Sequence, residues 1–142
     1  MIKPTLIICL LFVSIFSYGQ VKTDTGRTSL NAVCDLFMQT FQAGKFSEAI
    51  QLLKKSSTMG NSFIDDLDKT VNEQMNNIQV NYKKIVGYDL IEEKELKNVL
   101  ARRRYILKFE LYFLTFDFYL YNNGTSWTIS GFYYMDEQKS LF

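Results

Sequence analysis

The chain has 142 residues, 47% of them hydrophobic and 15% aromatic, and its 16 basic against 15 acidic residues leave a formal charge of +1. It contains no His, which excludes Ser-His-Asp and Cys-His nucleophile systems, His acid–base catalysis and most zinc sites. With 12 Phe, 9 Tyr and 1 Trp it is not a disordered chain, and its length is that of one domain.

Residues 1–19 read as a secretory signal peptide. Lys3 supplies the positive n-region, Leu6 to Phe16 is apolar apart from Ser14, and Ser17-Tyr18-Gly19 places small residues at both cleavage positions. The apolar run is about half the ~20 residues that span a bilayer, so processing is favoured over anchoring. Cys9 follows Ile8 in mid-run and makes a poor lipidation site. Cleavage would leave Gln20 or Val21 first, in a periplasmic or secreted protein with no stable membrane insertion. Removing Lys3 leaves 15 basic against 15 acidic residues, so no global field draws the chain to nucleic acid. Loss of Cys9 also leaves Cys34 alone, which forbids an intramolecular disulfide. Cys34 falls on an apolar helical stripe and reads as a small buried hydrophobe.

Residues 20–29 are polar and without periodicity, as in a flexible lead-in. From Leu30 the pattern is helical: Leu30, Val33, Cys34, Phe37, Met38 and Phe41 share one face, with Thr28 or Ser29 as N-cap and Gly44 as the stop. Ser47 and Glu48 open a second short helix carrying Phe46, Ala49, Ile50 and Leu53. Ser62 and Asp65 resemble a capping box ahead of a third, carrying Ile64, Leu67, Val71, Met75 and Ile78. The acids of Asp65-Asp66-x-Asp68 then fall in a first turn, where they favour the helix dipole without a metal.

Past Asn81 the period drops from 3.6 to 2 and the residues become β-branched and aromatic. Strands are expected over Ile85 to Leu96, Val99 to Phe109, Tyr112 to Tyr121 and Ser126 to Met135. The mixed run Glu92-Glu93-Lys94-Glu95 lacks the alternating acids of a calcium loop and reads as a solvated strand end. Asn123-Gly124 is a hairpin signal, since both residues accept positive φ; that chemistry also accounts for the sequon Asn123-Gly124-Thr125. A two-residue turn there sets Leu120 opposite Trp127, Phe118 opposite Ile129, Phe116 opposite Gly131 and Leu114 opposite Tyr133 on a core face. A similar turn at Glu110-Leu111 adds Arg103, Tyr105, Leu107 and Phe109 to that face. It also sets Arg104 opposite Asp117 on the other face, as an ion pair worth a fraction of a kcal/mol if exposed. The opposite face would carry Phe113, Thr115, Asp117, Tyr119, Tyr121, Thr128, Ser130, Phe132 and Tyr134, with Arg102 and Arg104.

The fold class is therefore α+β: N-terminal helices on a curved antiparallel sheet of four or more strands, within a single domain at 30–136 followed by a tail at 137–142. The stretch Phe37-x-x-x-Phe41-Gln42-Ala43-Gly44-Lys45-Phe46-Ser47-Glu48-Ala49-Ile50 and the ending Tyr119-Leu120-Tyr121-Asn122-Asn123-Gly124-Thr125-Ser126-Trp127 carry a resemblance. The chain resembles small exported members of the cone-shaped superfamily of nuclear transport factor two, ketosteroid isomerase and scytalone dehydratase. That resemblance implies a cavity between helices and sheet and, in many members, a second subunit packed on the sheet. Enzymes of the superfamily use Asp-His pairs, or an Asp base with Tyr and protonated Asp donors. Without His the first pattern is absent; the acids on the expected strands are Asp89, Glu92, Glu93 and Asp117, the register turns Asp117 outward, and no acid clearly faces the cavity.

The expected function is a non-enzymatic exported binding or accessory domain, dimeric through the sheet, with no cofactor and no metal. The candidate cavity for a small apolar or anionic ligand is lined by Arg103, Tyr88, Tyr105, Tyr133 and Trp127. Arg103 is the anomaly of that face, since a charge there must be satisfied or reach solvent. The candidate interface comprises Phe113, Asp117, Tyr119, Tyr121, Phe132 and Tyr134, unless the tail ending in Leu141-Phe142 folds over it; such a face also suits stacking on a glycan. The alternatives are an isomerase- or dehydratase-type cavity enzyme using an Asp and a Tyr, and a structural envelope module with a filled interior.

Overall fold

A computed structural model describes residues 25–139, 141 and 142. The segment 1–19 read as a signal peptide lies outside the described residues, as does the start of the lead-in. Four helices, α1 (Thr25–Gln42), α2 (Phe46–Gln51), α3 (Leu53–Ser56) and α4 (Asn61–Tyr82), precede four strands. These are β1 (Ile85–Leu96), β2 (Leu100–Phe109), β3 (Phe113–Asn122) and β4 (Trp127–Met135), joined as an antiparallel meander in the order β1-β2-β3-β4. The class is α+β as expected, with strand boundaries within a residue of those read from the period-2 pattern. Among the described residues no helix is long and apolar enough to cross a membrane.

α1 buries the expected stripe: Leu30, Cys34, Phe37, Met38 and Phe41 are shielded from solvent, with Val33 half-buried. Gly44 ends the helix at φ +81, where a side chain would be strained, and its N–H donates to the Phe41 carbonyl at 3.0 Å. The helix starts at Thr25, inside the stretch read as a lead-in. The reason is tertiary: Gly26 lies under Trp127, and Arg27 stacks over the Trp127 ring at 5.6 Å while pairing with Glu95 of β1.

The capping box at Ser62 and Asp65 does not form. α4 begins at Asn61 with Gly60 as N-cap and no side-chain cap bond, which puts the acids beyond its first turn. They tie α4 to its neighbours instead. Asp68 accepts from Ser47 Oγ at 2.7 Å, Gln51 Nε2 at 2.9 Å and Asn72 Nδ2 at 2.7 Å, and Asp65 pairs with Lys54 at 2.7 Å. Three donors brought in from α2 and α4 satisfy one carboxylate better than the helix dipole would.

The β2/β3 register is the expected one: Arg104 faces Asp117 and Tyr105 faces Phe116 about a tight turn at Glu110 and Leu111. That turn needs no Gly because the chain at its back grips it, with Glu110 N–H donating to the Lys84 carbonyl at 3.0 Å and Leu111 N–H to that of Tyr82 at 3.2 Å. The β3/β4 register departs from expectation twice. Asn123-Gly124 does not form a two-residue turn; the loop spans four residues and pairs Asn122 with Trp127. Asn side chains cause this: Asn122 Oδ1 accepts from the Gly124 N–H, and Asn123 Oδ1 from those of Thr125 and Ser126, each at 2.9 Å. A bulge at Ser130 then shifts the pairing, so that Leu120 faces Ile129 but Tyr119 faces Gly131 and Phe118 faces Phe132. One extra residue reverses the strand beyond it. Phe132 and Tyr134, expected on the outer face, turn inward, while Tyr133, expected in the core, turns outward.

The space between helices and sheet is filled with aromatic rings. Phe37 lies 5.6 Å from Phe41, 5.1 Å from Phe118 and 5.0 Å from Phe132, and Phe41 lies 5.0 Å from Phe116. Tyr105, Leu107, Leu114, Leu120, Ile129 and Met75 close the rest without measurable exposure beyond 2%. Ser57 lies beside Ile129 in a parallel bridge, and Thr58 N–H donates to the Ile129 carbonyl at 3.1 Å, which covers the free edge of β4 at that point.

Candidate functional site

The residues proposed to line a cavity do not form one site. Arg103, Tyr105 and Tyr88 lie together on the inner face, the two tyrosine rings 6.2 Å apart. Trp127 sits at the other edge of the sheet against Arg27, and Tyr133 is on the opposite face and more than half exposed. The charge of Arg103 is satisfied within the molecule. Its Nε donates to the Tyr105 hydroxyl at 2.9 Å, its Nη2 to Asp35 Oδ1 at 2.8 Å and its Nη1 to Glu93, while Tyr105 donates its own proton to Asp35. The guanidinium also lies 5.5 Å from the Tyr105 ring centroid. Burial, with the Asp35 carboxylate adding to it, pushes the Tyr105 hydroxyl well above its ordinary pKa.

Asp35 and Glu93 escape a reading of the sequence by face. Asp35 follows the buried Cys34 on the margin of the α1 stripe, and Glu93 sits in a run that looks solvated. The bulge at Leu90/Glu92 sets Glu93 opposite Arg103. The signal that could have found them is Arg103 itself, because a buried cation demands a carboxylate from whatever packs against its strand.

On the outer face Arg104 and Asp117 make the expected pair, but it is buried. Arg104 Nε and Nη2 donate to the two Asp117 oxygens at 2.7 Å each, and the side chains are 9% and 2% exposed. Asp89 also faces outward, paired with Lys108 at 2.7 Å. Around the ion pair run Thr115, buried and donating to the Met135 carbonyl at 3.2 Å, and Arg102, paired with Glu92.

Clefts open on this face. One of about 180 Å³ is lined by Lys94, Leu96, Leu100, Ala101, Arg102 and Tyr119. A second, of about 390 Å³, shares Leu100 and Tyr119 and adds Ser130, Gly131 and Tyr133. Gly131 lies close under the Tyr133 ring, where a Cβ would meet it at 3.1 Å. The Tyr119 and Tyr133 rings meet edge to face at 5.7 Å, and Leu96, Leu100, Tyr121 and Tyr133 are between 41% and 65% exposed. Of the residues read as an interface, Asp117, Tyr119 and Tyr121 belong here, Phe113 stacks on Tyr112 at the far end, and Phe132 and Tyr134 belong to the core. The tail reaches the face too: Leu141 and Phe142 line a groove with Ile91, Arg104 and Ile106.

No protein-family model, no curated protein and no solved structure matches the chain.

Proposed function

We propose that the chain is an exported, non-enzymatic binding or accessory domain that docks through its outer sheet face on a second copy of itself. The observation that carries this is the exposed row of Leu96, Leu100, Tyr121 and Tyr133 around Tyr119. A solvent-facing sheet surface is normally polar, whereas tyrosine-rich apolar surface suits an interface. The ring-filled interior supports the same choice, since it favours the outer face over the inside of the cone as the place for a partner. Kinship with the cone-shaped superfamily is part of the proposal and rests on the motifs and the helices-then-meander order.

The Asp35–Tyr105 hydrogen bond is the feature that favours the enzymatic alternative. Against it, Asp35 serves as the counter-ion of Arg103, and the Tyr105 hydroxyl proton is already donated to the same Oδ1, which commits the hydroxyl within the molecule.

Light scattering on the chain from residue 20, at tens of micromolar, tests the docking. A dimer mass is expected, falling to a monomer when Leu100 and Tyr133 are both replaced by Lys. A monomer for the unchanged chain refutes the proposal; retained dimer in the double variant moves the interface elsewhere.

A further inference from the structure

The loop between β3 and β4 carries a reactive pair that the docking face does not use. Of the chain's asparagines only Asn123 precedes a glycine. The backbone nitrogen that follows an asparagine is a nucleophile tethered to the side-chain carboxamide, and a side chain on the following residue hinders its approach. Gly124 has none, stands at φ +94, and a Cβ built there would meet nothing within 4 Å. Asn123 and Gly124 are both exposed to water.

Three hydrogen bonds restrain this pair. Gly124 N–H donates to Asn122 Oδ1, and Asn123 Oδ1 accepts from the N–H groups of Thr125 and Ser126, each at 2.9 Å. The first occupies the proton that the nitrogen must lose, and the other two fix the carboxamide that it must attack. Asn122 is anchored in turn: its Nδ2 donates to the Asn98 carbonyl at 3.1 Å and its N–H to the Val99 carbonyl at 2.8 Å.

We propose that Asn123 is a site of spontaneous deamidation and that Asn122 is its latch. Hydroxide takes the Gly124 N–H proton as the nitrogen bonds to Asn123 Cγ. The Cγ–Nδ2 bond then breaks, and Nδ2 takes a proton from water and leaves as ammonia, which closes a cyclic imide. Water opens the imide at either carbonyl, to aspartate or to isoaspartate. Water is taken up and ammonia released, and nothing is oxidised or reduced. Aspartate keeps an oxygen for the Thr125 and Ser126 N–H groups, whereas isoaspartate runs the backbone through the side-chain carbon and loses that geometry. Attack waits until the Gly124 N–H leaves Asn122 Oδ1, so the rate follows opening of the loop.

The test is incubation of the chain from residue 20 at mildly alkaline pH, with aspartate and isoaspartate at every asparagine read by peptide mapping and mass spectrometry. Asn123 is expected to convert first, and faster when the chain is unfolded in urea. Asn122→Ala, which removes the acceptor, is expected to speed conversion of the folded chain roughly fivefold, the worth of one neutral hydrogen bond. Asn122→Asp restores an acceptor and returns the rate to that of the unchanged chain or below. Earlier conversion of another asparagine in the folded chain overturns the site. An unchanged rate in Asn122→Ala overturns the latch, as does Asn122→Asp converting as fast as Asn122→Ala.

Discussion

Replacing Asp117 by Ala perturbs one hydrogen-bonded pair and little else. Asp117 is 2% exposed and accepts two bonds of 2.7 Å from Arg104, itself 9% exposed in its side chain, so the variant leaves a guanidinium shielded from water without its carboxylate. Breaking such a pair costs about 3–5 kcal/mol, against at most about 1 kcal/mol for an exposed cross-strand pair. The lower end, about 3 kcal/mol, applies here, because Glu92 stands opposite Arg104 on β1 and supplies part of the lost field. Replacing both residues, Arg104→Met with Asp117→Leu, removes the stranded charge and is expected to be near neutral. The assay is equilibrium urea unfolding of the unchanged chain, both single variants and the double variant, read as a double-mutant cycle. A cost below about 1 kcal/mol for Asp117→Ala would refute the reasoning. So would a double variant as unstable as the sum of the singles, since the pair would then not be energetically coupled.

Phe118 touches Phe37, Tyr105 and Phe132 with no exposure, so Phe118→Ala is expected to cost about 3–5 kcal/mol in the same assay; less than about 1 kcal/mol would mean the interior is not packed as described. Burial pushes the Cys34 thiol from 9.0 up to about 12, so above pH 9 the unfolded chain releases a proton that the folded chain keeps, and stability falls as pH rises toward 12. The expected loss is about 1 kcal/mol between pH 9 and 10, where the unfolded thiol goes from half to nearly fully ionised, and approaches about 1.4 kcal/mol per pH unit above that; Cys34→Ala should remove this share of the slope, and an unchanged slope would contradict it. The same burial predicts that Cys34 in the folded chain stays unmodified by an aromatic disulfide reagent at neutral pH, with rapid reaction after unfolding; fast labelling of the native chain would contradict this.

The helices and strands were legible because each carries its own period: the α1 stripe ending at Gly44, and the alternation along β2 and β3 that places Arg104 against Asp117. β2/β3 pairing followed from a turn whose length the pattern sets by itself. β4 was legible only as far as Ile129. Its loop is widened by the side chains of Asn122 and Asn123, and the Ser130 bulge then exchanges the faces of Phe132, Tyr133 and Tyr134, a change of one residue that alternating aromatics cannot reveal. Polar clusters fared worst, because their members meet over long separations. Asp35 and Glu93 reach Arg103 from α1 and β1, and Arg27 reaches Trp127 and Glu95 from the helix start; nothing local in the sequence marks any of them as partners.

Native mass spectrometry of the protein purified from its own host tests the central claim most directly, because it reads subunit number and any retained ligand together. Docking through the outer face around a filled interior predicts two copies of the chain and no bound small molecule. A single copy carrying a small ligand would contradict it.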